Sequence, residues 1–136
     1  MKVLQTYGNK VRIVFKDFPL PNHAEAFKAA EAAHCAGEQG KYWEMHDAMF
    51  ANIRNLFVPS LKQTARGLGL DGAAFDQCLD SGKHAANVRA DYELGEKMGV
   101  NSTPTIYING RPLIGAQPFE AFKAIIDEEL ARAGSR

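Results

Sequence analysis

The chain has 136 residues, 46% of them hydrophobic, which suffices for one domain with a sizeable core and is too little for two ordinary ones. Sixteen Lys and Arg residues balance sixteen Asp and Glu residues, so no net positive field recruits nucleic acid or anionic lipid. No run approaches the roughly 20 apolar residues of a membrane helix, and the opening residues lack the apolar centre of a secretory leader, so neither membrane insertion nor export is expected from the chain read literally.

Val3, Leu4 and Tyr7 followed by Gly8 read as the closing turns of a helix on a glycine C-cap. Val11 to Phe15, Val-Arg-Ile-Val-Phe, is a β-branched and aromatic run closed by Asp17, Pro19 and Pro21, and is expected to be a strand. From His23 the pattern is helical as far as Met98, with breaks at Gly37/Gly40, Pro59, Gly69 and Gly82. Trp43, Met45, His46, Met49, Phe50 and Ile53 populate the second segment, and their spacing implies burial. Ser60 with Gln63 forms a capping box that opens one helix, and Asp71 is the N-cap of the next. Lys83 to Met98 is a further helix ending on Gly99.

The period then changes. Thr105-Ile106-Tyr107-Ile108 alternates, Asn109-Gly110 is a hairpin turn, and Arg111 to Ile114 supplies the return strand. Pro112 has no N–H for a ladder, so this return strand belongs at a sheet edge. A final amphipathic helix carries Phe119, Phe122, Ile126 and Leu130 on one face, with Glu120, Lys123, Asp127 and Glu128 largely on the other.

Cys35 and Cys78 form no Cys-x-x-Cys pair; they are either two buried thiols or one structural disulfide. His23, His34, His46 and His84 show no zinc-type spacing and are expected to be surface or core histidines, with no metal. Tyr42 and Trp43 are expected to pack rather than to stack bases.

The stretch Gly99-Val100-Asn101-Ser102-Thr103-Pro104-Thr105-Ile106-Tyr107-Ile108-Asn109-Gly110 resembles the cis-proline loop and following strand of thioredoxin-fold proteins. Val11 to Leu20, Ala29 to Gly40, Tyr42 to Asp47 and Phe75 to Lys83 resemble, in the same order, the bacterial DsbA-like thiol-disulfide oxidoreductases. The resemblance implies an α/β, thioredoxin-like fold: a single domain over 1–136, with a helical insertion at about 23–98 between the two halves of the sheet. The loop, hairpin and terminal helix would occupy about 99–133. It implies disulfide formation or exchange in exported proteins, a periplasmic or extracytoplasmic location, thiol- or disulfide-containing polypeptides as substrates, and no cofactor. It also favours a Cys35–Cys78 bridge outside the active site.

By the same resemblance Thr103 and Pro104 are the substrate-binding residues. The cis bond keeps the chain from closing over the reactive sulfur and presents the Thr103 backbone to an extended peptide. Asp17 and Phe18 follow the first strand and are candidates for the same cleft, the simpler alternative being a solvated loop charge. The family's Cys-x-x-Cys and the strand before it have no counterpart in the sequence, so no catalytic residue is expected and the chain alone is predicted to be redox-inactive. Cys35 falls late in its helix, where the helix dipole opposes a reactive thiolate.

In the family that strand is central to the sheet, and buried backbone groups left unpaired cost about 1–3 kcal/mol each. Three repairs are expected: residues upstream of Met1, direct pairing of Val11–Phe15 with Thr105–Ile108, or a second chain, for example a homodimer formed by strand exchange or edge pairing. The first is preferred. Two other functions are compatible with the residues: a redox-inactive peptide-binding or assembly module using the Thr103-Pro104 edge, and a glutathione-linked DsbA-like transferase whose nucleophile lies in the missing segment.

Overall fold

A computed structural model describes residues 1–134. The chain forms two compact units, one made of Met1–Phe15 with the residues from Gly99 onward, the other of Lys16–Met98.

In the first unit, helix α1 (Lys2–Tyr7) ends on Gly8, whose φ of 55° a side chain would resist, and a short 3-10 turn (Gly8–Lys10) follows. The Tyr7 hydroxyl donates to Asp127 Oδ1 at 2.6 Å, and the Lys2 ammonium lies 4.4 Å from the Phe119 ring centre, which fixes α1 against helix α7 (Phe119–Gly134). Strands β1 (Thr105–Ile108) and β2 (Arg111–Ile114) pair antiparallel with Thr105 opposite Ile114 and Ile108 opposite Arg111. Their turn has φ of 48° at Asn109 and 83° at Gly110, the positive values that make Asn-Gly the favoured two-residue hairpin. Arg111 Nη1 donates to Glu128 Oε2 at 2.7 Å and to Glu129 Oε1 at 3.1 Å, binding the hairpin to α7.

Val11–Phe15 is a correction. Val11 is extended (φ −127°, ψ 148°), but residues 11–15 lie in no strand, and among the described residues β1 has β2 as its one strand partner. A β-rich run becomes a strand only when a neighbour completes its ladder. The direct pairing with Thr105–Ile108 that the sequence allowed does not occur.

The second unit is helical: α2 (Ala26–Gly37), α3 (Tyr42–Ala51), α4 (Val58–Gly67), α5 (Gly72–Ser81) and α6 (Ala85–Lys97). Helix α2 is its axis, touching each of the other four. Ala29, Ala32, Ala33 and Ala36 make that possible, since small side chains let helices approach closely. Phe75, Met45, Leu61 and Leu79 fill the remaining core, each contributing about 1.5–3 kcal/mol by leaving water. The Asp71 carboxylate accepts from Ala74 N–H at 3.1 Å, as an N-cap should.

Two further expectations fail here. Helix α4 begins at Val58, so Ser60 is no cap: it lies buried inside the helix, and Pro59 occupies the first turn, where a missing N–H costs nothing. Trp43, Phe50 and Ile53 are exposed: Met45 and Met49, one turn apart, take the core-facing side of α3 and leave Trp43 and Phe50 on a different face, and Ile53 lies in the turn beyond the helix end.

Candidate functional site

In the first unit, Thr103 and Pro104 are both exposed, joined by a cis peptide bond, immediately ahead of β1. The Pro104 carbonyl accepts from Gly115 N–H at 2.8 Å and the Ser102 carbonyl accepts from the Thr105 hydroxyl at 2.7 Å. The loop is thus pinned on both sides of the Thr103-Pro104 pair while the pair itself faces solvent.

In the second unit, Cys35 on α2 and Cys78 on α5 are joined in a disulfide with a Cα–Cα distance of 5.9 Å. Both cysteines are buried, and the bridge ties the first helix of the block to the fourth.

The second unit also holds a polar cluster that the sequence did not foretell. Asp17 is buried, not a solvated loop charge, and accepts from His34 Nε2–H at 2.6 Å. Its backbone N–H donates to Asp91 Oδ2 at 3.1 Å, and Lys16 Nζ lies 3.2 Å from Asp91 Oδ1. Phe18 stacks on Tyr92, ring centres 4.4 Å apart, so the segment after residue 15 is bound to α6 by both polar and aromatic contacts. The hydrogen bond to Asp17 raises the His34 pKa against the lowering effect of burial, while burial, and then the charges of Asp17 and Asp91, push the Tyr42 phenol up. The His34 ring stacks at 5.5 Å on His84, whose Nε2 is 2.8 Å from Glu38 Oε1. Lys83 Nζ lies 2.7 Å from the same carboxylate oxygen.

Spacing carried a partial signal for this cluster. His34 and Glu38 are one turn apart across the last turn and C-cap of α2, while His84 and Asp91 lie seven apart across the cap and body of α6, so two packed helices present matching stripes. What spacing lacked was the pairing of α2 with α6. His23 stays exposed. His46 is buried, between the rings of Trp43 at 5.1 Å and Phe50 at 4.8 Å. Tyr42 is partly buried against the core, whereas Trp43 is exposed.

The sequence matches, over residues 1–128, a protein family described as Thioredoxin. The chain belongs to the thioredoxin family. Its α/β fold, with a helical block between the hairpin portion and the N-terminal segment, is the thioredoxin-like architecture expected from the sequence. Among curated proteins the thioredoxin chain is similar to the Na(+)/H(+) antiporter NhaA 3 of Salinispora tropica, 36% identical over 127 residues that cover 93% of this chain and 20% of the relative. It is likewise similar to the Na(+)/H(+) antiporter NhaA 1 of Salinispora arenicola, 35% identical over 132 residues that cover 96% of this chain and 20% of the relative. The Na(+)/H(+) antiporter NhaA of Herminiimonas arsenicoxydans is 32% identical over 130 residues, 96% of this chain and 20% of the relative. The thioredoxin chain therefore spans about a fifth of the length of these relatives, which carry an antiporter name and not that of a DsbA-like enzyme. No described helix is long and apolar enough to cross a membrane.

Proposed function

We propose that this chain is the peptide-receiving part of a DsbA-like thiol-disulfide oxidoreductase acting on thiol- or disulfide-containing polypeptides in an extracytoplasmic compartment. The supporting observation is the exposed Thr103-Pro104 pair at the entrance to β1, held from both sides by hydrogen bonds in a thioredoxin-family chain. An extended peptide would add to the backbone of Thr103, gaining main-chain hydrogen bonds while its side chains point alternately toward and away from the domain.

The attacking thiolate would come from outside these 136 residues, because the two cysteines present are bonded to each other and buried. A thiolate there attacks one sulfur of a substrate disulfide, forming a mixed disulfide and releasing the other sulfur as a thiolate. The residues of this chain would align the substrate for that step and take no electrons themselves.

The test is an NMR titration of the isotope-labelled chain with a short extended peptide carrying serine in place of cysteine. Shift changes centred on Ser102 to Thr105 are expected, and a peptide that binds elsewhere, or not at all, overturns the reading. In a thiol-disulfide exchange assay the chain alone should give background turnover; turnover above it would move the chemistry to Cys35 and Cys78.

A second reading, a redox-inactive binding module, draws on the antiporter name shared by the curated relatives. On that reading the domain receives a peptide segment of a membrane transport protein. An upstream reading frame without a Cys-x-x-Cys pair, combined with the same NMR shifts, would favour it over the oxidoreductase.

A further inference from the structure

We propose that the reduced form of this chain binds one zinc ion through Cys35, Cys78 and His84. These residues come from three different elements: α2, α5, and the cap position of α6. The two sulfurs and a ring nitrogen of His84 all lie within 4.8 Å of one another. Zinc bonds of about 2.3 Å to sulfur and about 2.0–2.1 Å to nitrogen place tetrahedral ligands roughly 3.5–3.8 Å apart, so closing the site needs shifts of about 1 Å at the ring and an opening of the sulfur pair.

That opening is a balanced step. A dithiol reductant supplies two electrons and two protons, the Cys35–Cys78 bond breaks to two thiols, and the reductant leaves as its own disulfide. Zinc then displaces both thiol protons to water. Two thiolates neutralise the ion, which suits a site whose cysteines are buried.

The surroundings are those of a ligand imidazole rather than a filler side chain. Glu38 Oε1 lies 2.8 Å from Nε2 of His84, and Asn87 Nδ2 lies 2.9 Å from Nδ1, so the ring is held from both ends and keeps one orienting contact when the other nitrogen binds metal. A cavity of about 320 Å³ lined by Glu38, Ala74, Gln77, Cys78, Ser81 and Lys83 borders the site on the side of Cys78 and of the carboxylate that holds His84. It gives an ion an approach from the Cys78 side. The bridge and the metal are mutually exclusive, so in an oxidising compartment the site forms only on chains whose bridge has been reduced. This inference is independent of the peptide edge, which lies in the other unit.

The chain is reduced with a phosphine, freed of metal, and titrated with cobalt(II) and then zinc. One cobalt per chain is expected, with a thiolate-to-cobalt charge-transfer band and tetrahedral d–d bands that zinc abolishes. The oxidised chain should give neither band. His84→Asn keeps a residue suited to a helix cap and should weaken binding by about tenfold or more, while the double variant C35S/C78S should lose the bands.

Far-UV circular dichroism of each sample covers unfolding of the reduced chain: one equivalent of metal that restores the helical signal supports the site. No band, a band without helical structure, or equal affinity in H84N overturns it.

Discussion

His34 Nε2 stands 2.6 Å from Asp17 Oδ2, joining the segment that follows Phe15 to the last turn of α2 through a carboxylate that is itself buried. This contact anchors the start of the helical unit, because the next residue, Phe18, then stacks on Tyr92 of α6.

The pair makes stability depend on pH in a defined direction. The hydrogen bond to Asp17 raises the His34 pKa above its ordinary value in the folded chain. A raised histidine contributes stability in full below its unfolded pKa of about 6.5, and that contribution is lost as pH rises through the folded value. Denaturant melts are therefore expected to place the wild-type midpoint higher at about pH 5.5 than at about pH 8.5, with Asp17→Asn removing most of this difference. An NMR titration of His34 that gives a pKa at or below the ordinary value would contradict the account.

Removing the bridge should cost more than removing any surface contact. Cys35 and Cys78 are 43 residues apart, and closing a loop of that size lowers the entropy of the unfolded chain by an amount worth about 4 kcal/mol at most, with about 2–4 kcal/mol typical. C35A/C78A is expected to unfold at correspondingly lower denaturant without metal. A midpoint unchanged from that of the oxidised wild type would show that the helical unit does not depend on the crosslink.

Phe75 on α5 is fully buried within the α2–α5 core. Phe75→Ala leaves a cavity and should cost about 3–5 kcal/mol, a large share of the roughly 5–15 kcal/mol that holds a domain together. Urea unfolding followed by circular dichroism measures the loss; a change under about 1 kcal/mol would mean that the site collapses freely around the smaller residue.

Glu31 on α2 is buried, with Oε2 3.2 Å from Lys28 Nζ and Oε1 lacking a hydrogen-bond partner among the described residues. Lys28 Nζ also donates to the Leu79 carbonyl at 2.7 Å. Because one carboxylate oxygen is unsatisfied, Glu31→Met is expected to be near neutral or stabilising, whereas Lys28→Met strands a buried charge and should destabilise. Lys28 is partly exposed, so water screens the loss to the order of 1–2 kcal/mol. Thermal melts that rank the two variants in the opposite order would refute this assignment.

Local chemistry alone determined the hairpin, its Asn109-Gly110 turn, the Gly8 and Asp71 helix ends and the divisions of the helical block, since each depends on residues a few positions apart. The Thr103-Pro104 loop was singled out by family resemblance, carried by a continuous motif beside the strand it introduces. Only the tertiary structure decided the rest. Val11–Phe15 has a strand's composition, but a strand requires a neighbouring backbone, and composition cannot supply one. Whether Trp43 and Phe50 are buried depends on which face of α3 meets α2 and α4. The Asp17–His34 pair, and the approach of Cys35 to Cys78 and His84, join residues that lie far apart in sequence through helix packing, over distances at which spacing carries no directional information.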